Sequence, residues 1–252
     1  MAQKKKTTRK TSEKPKTNSV KKSTVRKTKS APRSHRKAKG MRRDRGLLIS
    51  FEGSEGSGKT TQISRISAWM EDSGYDVVVT REPGGTEIGE EIRHLLKHSA
   101  QGARMTPEAE LLLFAASRAQ LVREVIVPSM DAGKIVLCDR YLDSTTVYQG
   151  VGRQISAEPV HIINTFAVGD VMPDITVILD IPAEIGLERI RHRATDIPDR
   201  MESETIDFYR KVREGYLLLA NALPERFIVV DGTRPRHDIE EQLCDELERR
   251  ID

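Results

Sequence analysis

The chain has 252 residues, which is enough for one large α/β domain or two small ones. Its 42 lysines and arginines and 38 acidic residues are unevenly distributed, because residues 1–45 have a net charge of +17 and the remainder has a net charge of −13. No apolar run approaches the ~18 residues that span a bilayer, which excludes a membrane-spanning helix.

Residues 1–45 form a basic segment of lysine, arginine, serine and threonine with almost nothing apolar. Such a segment cannot bury enough surface to offset the entropy lost on ordering, so we expect a disordered tail. It has no apolar h-region, which argues against a secretory signal. A transit peptide stays open because acidic residues are scarce, and weak non-specific contact with nucleic acid stays open because of the positive charge.

From Gly46 onward, short apolar runs alternate with stretches of helical periodicity. Strands are predicted over Leu47–Phe51, Val77–Thr80, Ile135–Cys138, Ile175–Leu179 and Phe227–Val230. Helices are predicted near 60–72, 87–98, 107–130, 157–168, 183–193, 202–221 and 236–250. Pro107 and Pro182 stand where two of these helices begin, a position that suits a residue without an N–H. The alternation predicts one α/β domain over residues 46–252, with a parallel sheet covered on both faces.

A glycine-rich loop follows the first predicted strand. The stretch "LLISFEGSEGSGKTT" (47–61) contains G-x-x-x-x-G-K-T, and the strand before it and the helix after it are the context that a phosphate-binding loop requires. In such a loop Lys59 would reach the β- and γ-phosphates of a nucleotide, and the Thr60 hydroxyl would bind Mg²⁺. The predicted nucleotide-binding residues are Gly53, Ser54, Glu55, Gly56, Ser57, Gly58, Lys59, Thr60 and Thr61. The alternative, a chance glycine-rich turn, does not account for this context.

The loop alone does not distinguish a GTPase, a motor or a small-molecule kinase, although the N-K-x-D motif of GTPases is missing from the sequence. Three further stretches distinguish between these classes: "TREPGGTEIG" (80–89), "LLLFAASRAQ" (111–120) and "CDRYLDSTTVYQG" (138–150). Together with the loop they resemble the thymidylate kinases, which transfer the γ-phosphoryl group of ATP to dTMP. The resemblance extends from about Gly46 to the C-terminus.

This resemblance implies a P-loop nucleoside-monophosphate kinase with three α/β/α layers, a five-stranded parallel sheet and a helical lid near residues 189–202. It also implies dependence on ATP and Mg²⁺, a homodimer and a cytoplasmic location. Another nucleoside-monophosphate kinase is the nearest alternative, and a nucleic-acid-binding protein that acts through its tail is an alternative of a different class.

Asp139 and Arg140 follow a predicted strand, so they should lie at the carboxyl edge of the sheet, where open α/β sheets bind ligands. Asp139 is predicted to act on Mg²⁺ through water, and Arg140 to bind the acceptor phosphate with its two-pronged guanidinium. The alternative is an ion pair on the surface.

The resemblance assigns further acceptor-site roles. Phe114 would stack on thymine and Arg118 would hydrogen-bond the carbonyl edge of the base, although an aromatic residue in an apolar helical stripe is by default a core residue. Tyr148 would lie against the sugar where a 2′-hydroxyl would stand. The remaining predicted acceptor residues are Glu55 at the 3′-hydroxyl, Ser144 and Gln149 near the base or phosphate, and Arg81 in the pocket wall.

The segment "GLERIRHRATDIPDRMESE" (186–204) is rich in arginine. Arg189 and Arg193 are four residues apart and would share a helix face, and Arg200 follows. Some members of the family resembled carry a catalytic arginine in the glycine loop, but that position is Gly56 here, so the catalytic cation is predicted among these three lid arginines. A solvated basic helix face is the alternative.

Two pairs of potential metal ligands are interpreted as not forming metal sites. His94 and His98 are four residues apart, but no third ligand accompanies them, so we expect surface residues. Cys138 and Cys244 are expected to be free thiols of a protein in a reducing compartment.

Overall fold

The structure is a computed structural model, and it describes residues 45–99, 102, 104–192, 200–201 and 203–251. The predicted disordered tail lies outside these residues except for Arg45, and so does Arg193. Within the described part no helix is long and apolar enough to cross a membrane. Cys138 and Cys244 are free, as predicted, and both are buried.

Five parallel strands form one sheet in the order β2-β3-β1-β4-β5. The strands are β1 (Leu47–Glu52), β2 (Val77–Arg81), β3 (Ile135–Asp139), β4 (Ile175–Asp180) and β5 (Phe227–Asp231). The prediction of a five-stranded parallel sheet is therefore confirmed. Each strand extends one residue beyond its predicted end, and each of these last residues is charged, so the apolar pattern that defined the strands stopped short of them.

The helices are α1 (Lys59–Asp72), α2 (Glu87–Lys97), α3 (Pro107–Leu121), α4 (Val127–Asp131), α5 (Leu142–Thr145), α6 (Ala157–Val168), α7 (Ala183–Arg191), α8 (Ile206–Ala222) and α9 (Arg236–Ile251). A π-helical turn (Val122–Ile126) joins α3 to α4, and a second one (Thr146–Gly152) extends α5.

Two helix predictions differ from the structure. The predicted helix over 107–130 is interrupted by the first π-helical turn, which precedes Pro128, a residue without an N–H for the helical ladder. The helical segment from Leu142 to Gly152 was not predicted, because its run of Thr, Tyr, Gln and Gly has no clear apolar period.

The helices cover both faces of the sheet. On one face, Ile66 and Met70 of α1 and Leu243 of α9 pack against strand residues such as Phe51 and Val177. On the other face, Leu121 and Val168 pack against Leu48 and Val136, and Tyr216 and Val212 of α8 pack with Ile178. The fold is therefore the predicted three-layer α/β/α arrangement, and the loops that follow β1, β2 and β3 meet at its carboxyl edge.

Candidate active site

The glycine loop between β1 and α1 has a conformation that only glycine accommodates at two of its positions. Gly53 has φ +132°, and a Cβ there would lie 2.6 Å from the Leu179 carbonyl oxygen. Gly56 has φ +74°, and a Cβ there would lie 2.5 Å from the carbonyl oxygen of Gly186 in α7. The loop backbone therefore packs directly against β4 and α7, which fixes its shape.

Lys59 begins α1 and is buried within this loop. Its Nζ donates to the carbonyl oxygens of Gly53 at 3.1 Å and Ser54 at 3.0 Å. Burial, together with the nearby charge of Arg140, lowers the pKa of Lys59 to about 8. The loop thus holds a cation at the N-terminus of α1, where backbone N–H groups and the helix dipole also favour an anion.

Thr60 and Asp139, the two predicted metal ligands, are brought together from 79 residues apart. The Thr60 hydroxyl donates to Asp139 Oδ2 at 2.9 Å. A hydroxyl and a carboxylate are the hard oxygen donors that Mg²⁺ prefers, and this ion commonly takes one or two protein ligands together with substrate phosphates. The pair fits Mg²⁺ in this respect, and the described residues contain no cluster of three or more His, Cys, Asp or Glu that would hold a metal by itself.

A cavity of about 580 Å³ lies beside the outer part of the loop. Its walls include Ser57 from the loop, Thr61 from the first turn of α1, Arg189 from α7, and Gly232 and Arg236 beyond β5. Arg189 Nη1 donates to the carbonyl oxygens of Gly56 at 3.2 Å and Gly232 at 3.1 Å. Of the two lid arginines that the structure describes, Arg189 and Arg200, Arg189 is therefore the one that contacts the glycine loop.

A second, narrow cavity opens on the other side of the loop, and six of the eight predicted acceptor residues line it: Glu55, Phe114, Arg140, Ser144, Tyr148 and Gln149. Residues that the sequence analysis did not identify complete the wall: Glu82, Pro83, Lys97, Thr145 and Met201. All but Lys97 fall inside the quoted stretches 80–89, 138–150 and 186–204, so for these four residues only the roles were missed.

Arg140, Glu55 and Tyr148 form one hydrogen-bonded cluster in this cavity. Arg140 Nη2 donates to Glu55 Oε1 at 2.7 Å and to the Tyr148 hydroxyl at 3.2 Å, and the Tyr148 hydroxyl donates to Glu55 Oε2. Burial by itself raises the pKa of Glu55, but the charges of Arg140 and Lys59 outweigh it and lower this pKa. Arg140 has φ +73°, an unfavourable conformation that aims its side chain at this cluster.

Glu52, the last residue of β1, binds Ser144 and Tyr216, two residues that also contact Arg140. The sequence analysis did not identify it. Its buried carboxylate accepts from the Tyr141 N–H at 2.8 Å, the Ser144 hydroxyl at 2.6 Å and the Tyr216 hydroxyl at 2.8 Å. Burial and the neighbouring Asp143 raise its pKa to about 7. Each of the five strands ends in a charged residue, so this feature of the sequence does not single out Glu52.

Two predicted acceptor residues, Arg118 and Arg81, lie outside the cavity wall. Arg118 is buried behind it, where its guanidinium donates to Glu82 at 2.8 Å, Asn164 at 2.8 Å and the Thr145 hydroxyl at 2.8 Å. Arg81 is about half exposed and pairs with Glu90 at 2.8 Å. Contact of either arginine with the acceptor therefore stays a prediction.

Arg200, predicted as a catalytic lid residue, lies on the acceptor side. Its Nε donates to the Leu96 carbonyl oxygen at 3.0 Å, and its Nη2 lies 2.5 Å from the carboxylate of Glu110 in α3. This arrangement separates Arg200 from Arg189, which contacts the glycine loop. The predicted catalytic role of Arg200 is therefore untested, and its observed partners belong to α2 and α3.

A glycine loop after β1 in a parallel sheet, with one cavity on each side of it, defines the protein as a P-loop nucleotide kinase in fold and site. The comparisons with known proteins specify the family. The thymidylate kinase family model matches residues 51–243. The thymidylate kinase of Kosmotoga olearia is 45% identical over 80% of this chain and 95% of its own length, and that of Pelobacter propionicus is 48% identical over 79% and 92%.

A solved structure agrees with these matches. The crystal structure of thymidylate kinase from Ehrlichia chaffeensis has a TM-score of 0.64 and 34% identity, and the match covers 80% of this chain and 98% of that one. The chain belongs to the thymidylate kinase family.

Proposed function

We propose that this protein transfers the γ-phosphoryl group of ATP to dTMP, giving dTDP and ADP. The observation that carries the proposal is Glu55, which belongs to the glycine loop and also lines the acceptor cavity, hydrogen-bonded to Arg140 and Tyr148. Donor and acceptor sites therefore share a wall, as direct transfer between two bound nucleotides requires.

On the donor side, the triphosphate would lie along the glycine loop, with the base in the cavity of about 580 Å³. Lys59 and the N-terminus of α1 would stabilise the charge of the β- and γ-phosphates. Thr60 and Asp139 would hold Mg²⁺, which, when bound, neutralises phosphate charge. Arg189 reaches the loop backbone at Gly56, so we infer that it lies closer to the transferring group than Arg200, the other lid arginine that the structure describes.

On the acceptor side, Arg140 would bind the phosphate of dTMP through its two-pronged guanidinium. Glu55 would accept a hydrogen bond from the hydroxyl side of the sugar, with Tyr148 packed beside it. Phe114 would stack on the base, and Thr145 and Gln149 would bind its polar edge. No side-chain nucleophile is needed, because positioning and charge neutralisation drive phosphoryl transfer.

The test is a coupled assay of ADP release across dTMP, dUMP, UMP, CMP, AMP and GMP. We expect dTMP to give the largest kcat/KM by a wide margin. Equal or greater turnover with a ribonucleotide would instead assign the protein to another class of nucleoside-monophosphate kinase.

Tyr148 and Phe114 should have separable effects on acceptor choice. Tyr148→Ala should narrow the preference for dTMP over ribothymidine monophosphate in kcat/KM, because it opens the space beside the sugar. Phe114→Ala should weaken both acceptors alike, since it removes base stacking worth ~1–3 kcal/mol by analogy with stacked nucleic-acid bases.

Tyr148→Phe is the matched control, because it keeps the ring and removes only the hydroxyl that bonds Glu55. It should lower activity but retain the sugar preference. An unchanged preference in Tyr148→Ala would mean that a residue other than Tyr148 excludes the 2′-hydroxyl of a ribonucleotide.

We propose a homodimer as the assembled form. Adjacent helices α2, α3 and α6 carry large apolar side chains that are about half exposed or more, including Leu95 at 46%, Leu112 at 56%, Ile162 at 58% and Phe166 at 83%. Exposed apolar patches of this kind favour a protein partner.

Phe166→Glu should shift the sedimentation coefficient toward that of a monomer, because it places a charge in this apolar patch. A substitution at exposed Lys211 should leave the sedimentation coefficient unchanged. An unchanged sedimentation coefficient in Phe166→Glu would contradict this interface.

The tail motivates a separate prediction. Its charge of +17 over residues 1–45 should give weak nucleic-acid binding. The logarithm of the binding constant should fall linearly with the logarithm of the salt concentration. The full-length protein should be retarded with DNA in a low-salt gel, and a 46–252 chain should not, while both keep kinase turnover. Identical migration of the two would refute the prediction.

A further inference from the structure

Glu110, one helical turn before Phe114 on α3, is a buried carboxylate at which two other segments converge. Its side chain is 1% exposed. Gln149 Nε2 donates to its Oε1 at 2.7 Å, Arg153 Nε lies 3.1 Å from the same oxygen, and Arg200 Nη2 lies 2.5 Å from Oε2. One carboxylate thus connects α3 with the end of the lid region and with the segment that carries Gln149.

The partners of Glu110 keep it ionised. Burial by itself raises its pKa, but hydrogen bonds from Arg153 and Gln149 and the charges of Arg153 and Arg200 outweigh burial and lower the pKa. An ionised carboxylate can accept hydrogen bonds but cannot donate them. The amide group of Gln149 must therefore turn its nitrogen toward Glu110.

The orientation of this amide determines what the acceptor cavity offers to a base. Gln149 lines the cavity together with Phe114. One of the two N–H groups of this amide is bound to Glu110, and the amide oxygen lies on the opposite arm of the planar group, has no hydrogen-bond partner among the described residues, and can only accept. Thymine and uracil carry a donor at N3, whereas cytosine carries a bare acceptor nitrogen there, which would repel the amide oxygen.

We propose that Glu110 is a positioning residue that fixes the Gln149 amide and thereby sets the preference for a base with an N3–H over cytosine. The inference rests on the proposed function, because it assumes a pyrimidine base against Phe114. Glu110 acts through Gln149 and does not itself line the cavity, and its effect is on acceptor choice.

Glu110→Gln tests this inference. The new amide can donate as well as accept, so the Gln149 side-chain amide is free to rotate by 180° and exchange the positions of its nitrogen and oxygen. The ratio of kcat/KM for dTMP to that for dCMP should fall at least ~10-fold, the scale of one buried hydrogen bond, mainly through a higher KM for dTMP. The KM for ATP should stay the same. An unchanged ratio in a folded Glu110→Gln protein would overturn the proposal.

Glu204→Gln is the matched control. Glu204 pairs with the Arg153 guanidinium at 2.6 Å, so this change removes one partner of the same arginine and leaves the Glu110 contact to Gln149 in place. Its dTMP-to-dCMP ratio should equal that of the wild type. An equal fall in both variants would mean that Arg153, and not the amide orientation, controls the base, which also overturns the proposal.

A measurement on the unmodified protein keeps the proposal testable if Glu110→Gln does not fold. Hydrogen exchange of the Gln149 side-chain amide, followed by NMR, should be slow both without and with dTMP, because its partner is Glu110. Protection that appears only with dTMP would mean that the nitrogen faces the ligand. A wild-type protein that phosphorylates no dTMP would contradict the proposed function, whereas a dTMP-specific wild type with an unaltered ratio in Glu110→Gln contradicts this inference alone.

Discussion

Replacement of Lys59 by alanine is expected to lower kcat by ~10²-fold or more while the chain stays folded. The change removes the cation at the N-terminus of α1 that would stabilise the developing charge on the phosphates. The loop should keep its shape, because the close contacts of Gly53 with Leu179 and of Gly56 with Gly186 do not involve the lysine. ADP release at saturating ATP and dTMP measures the loss.

The control for this prediction is Lys211→Ala, which removes a lysine from the exposed face of α8. Its turnover should match the wild type. The thermal unfolding of Lys59→Ala should also remain cooperative, which separates a lost charge from a lost fold. Turnover near the wild-type level in Lys59→Ala would remove the glycine loop from the mechanism.

The second large effect is expected from Arg140→Met. The variant loses the guanidinium proposed to bind the acceptor phosphate and leaves the partly buried Glu55 carboxylate without its nearest cation. Truncation of one partner of a buried charge pair commonly costs several kcal/mol, so kcat/KM for dTMP should fall ~10²-fold or more. The KM for ATP should change little, because the donor cavity lies on the other side of the loop.

Two further variants make this result specific. Arg140→Lys keeps the charge but not the two-pronged geometry, so it should recover part of the lost activity. Arg210→Met removes an exposed arginine that pairs with Glu184, and its kinetics should be those of the wild type. A fall in ATP affinity equal to that for dTMP in Arg140→Met would show that Arg140 serves the donor and not the acceptor.

The sequence was sufficient for the features that are local along the chain. Each apolar run predicted a strand within one residue, because a strand buried on both faces needs continuous apolar side chains. The glycine loop was predictable because its spacing, its preceding strand and its following helix are all local. The family resemblance then identified Phe114, Arg140 and Tyr148, and the structure brings all three to one cavity.

Only the tertiary structure decided which charged residues act together. The sequence suggested that Arg118 contacts the base and that Arg200 is a catalytic lid residue, and the structure adds their protein partners, Glu82 for Arg118 and Glu110 for Arg200. The roles of Glu52 and Glu110 were not predictable, because a charged residue at a strand end or within a helix is usually solvated. Their partners are 39 to 164 residues distant along the chain, among them Tyr216 and Gln149. A buried carboxylate is stable only where donors from several elements converge on it, and that convergence is a property of the packed layers and not of any one segment.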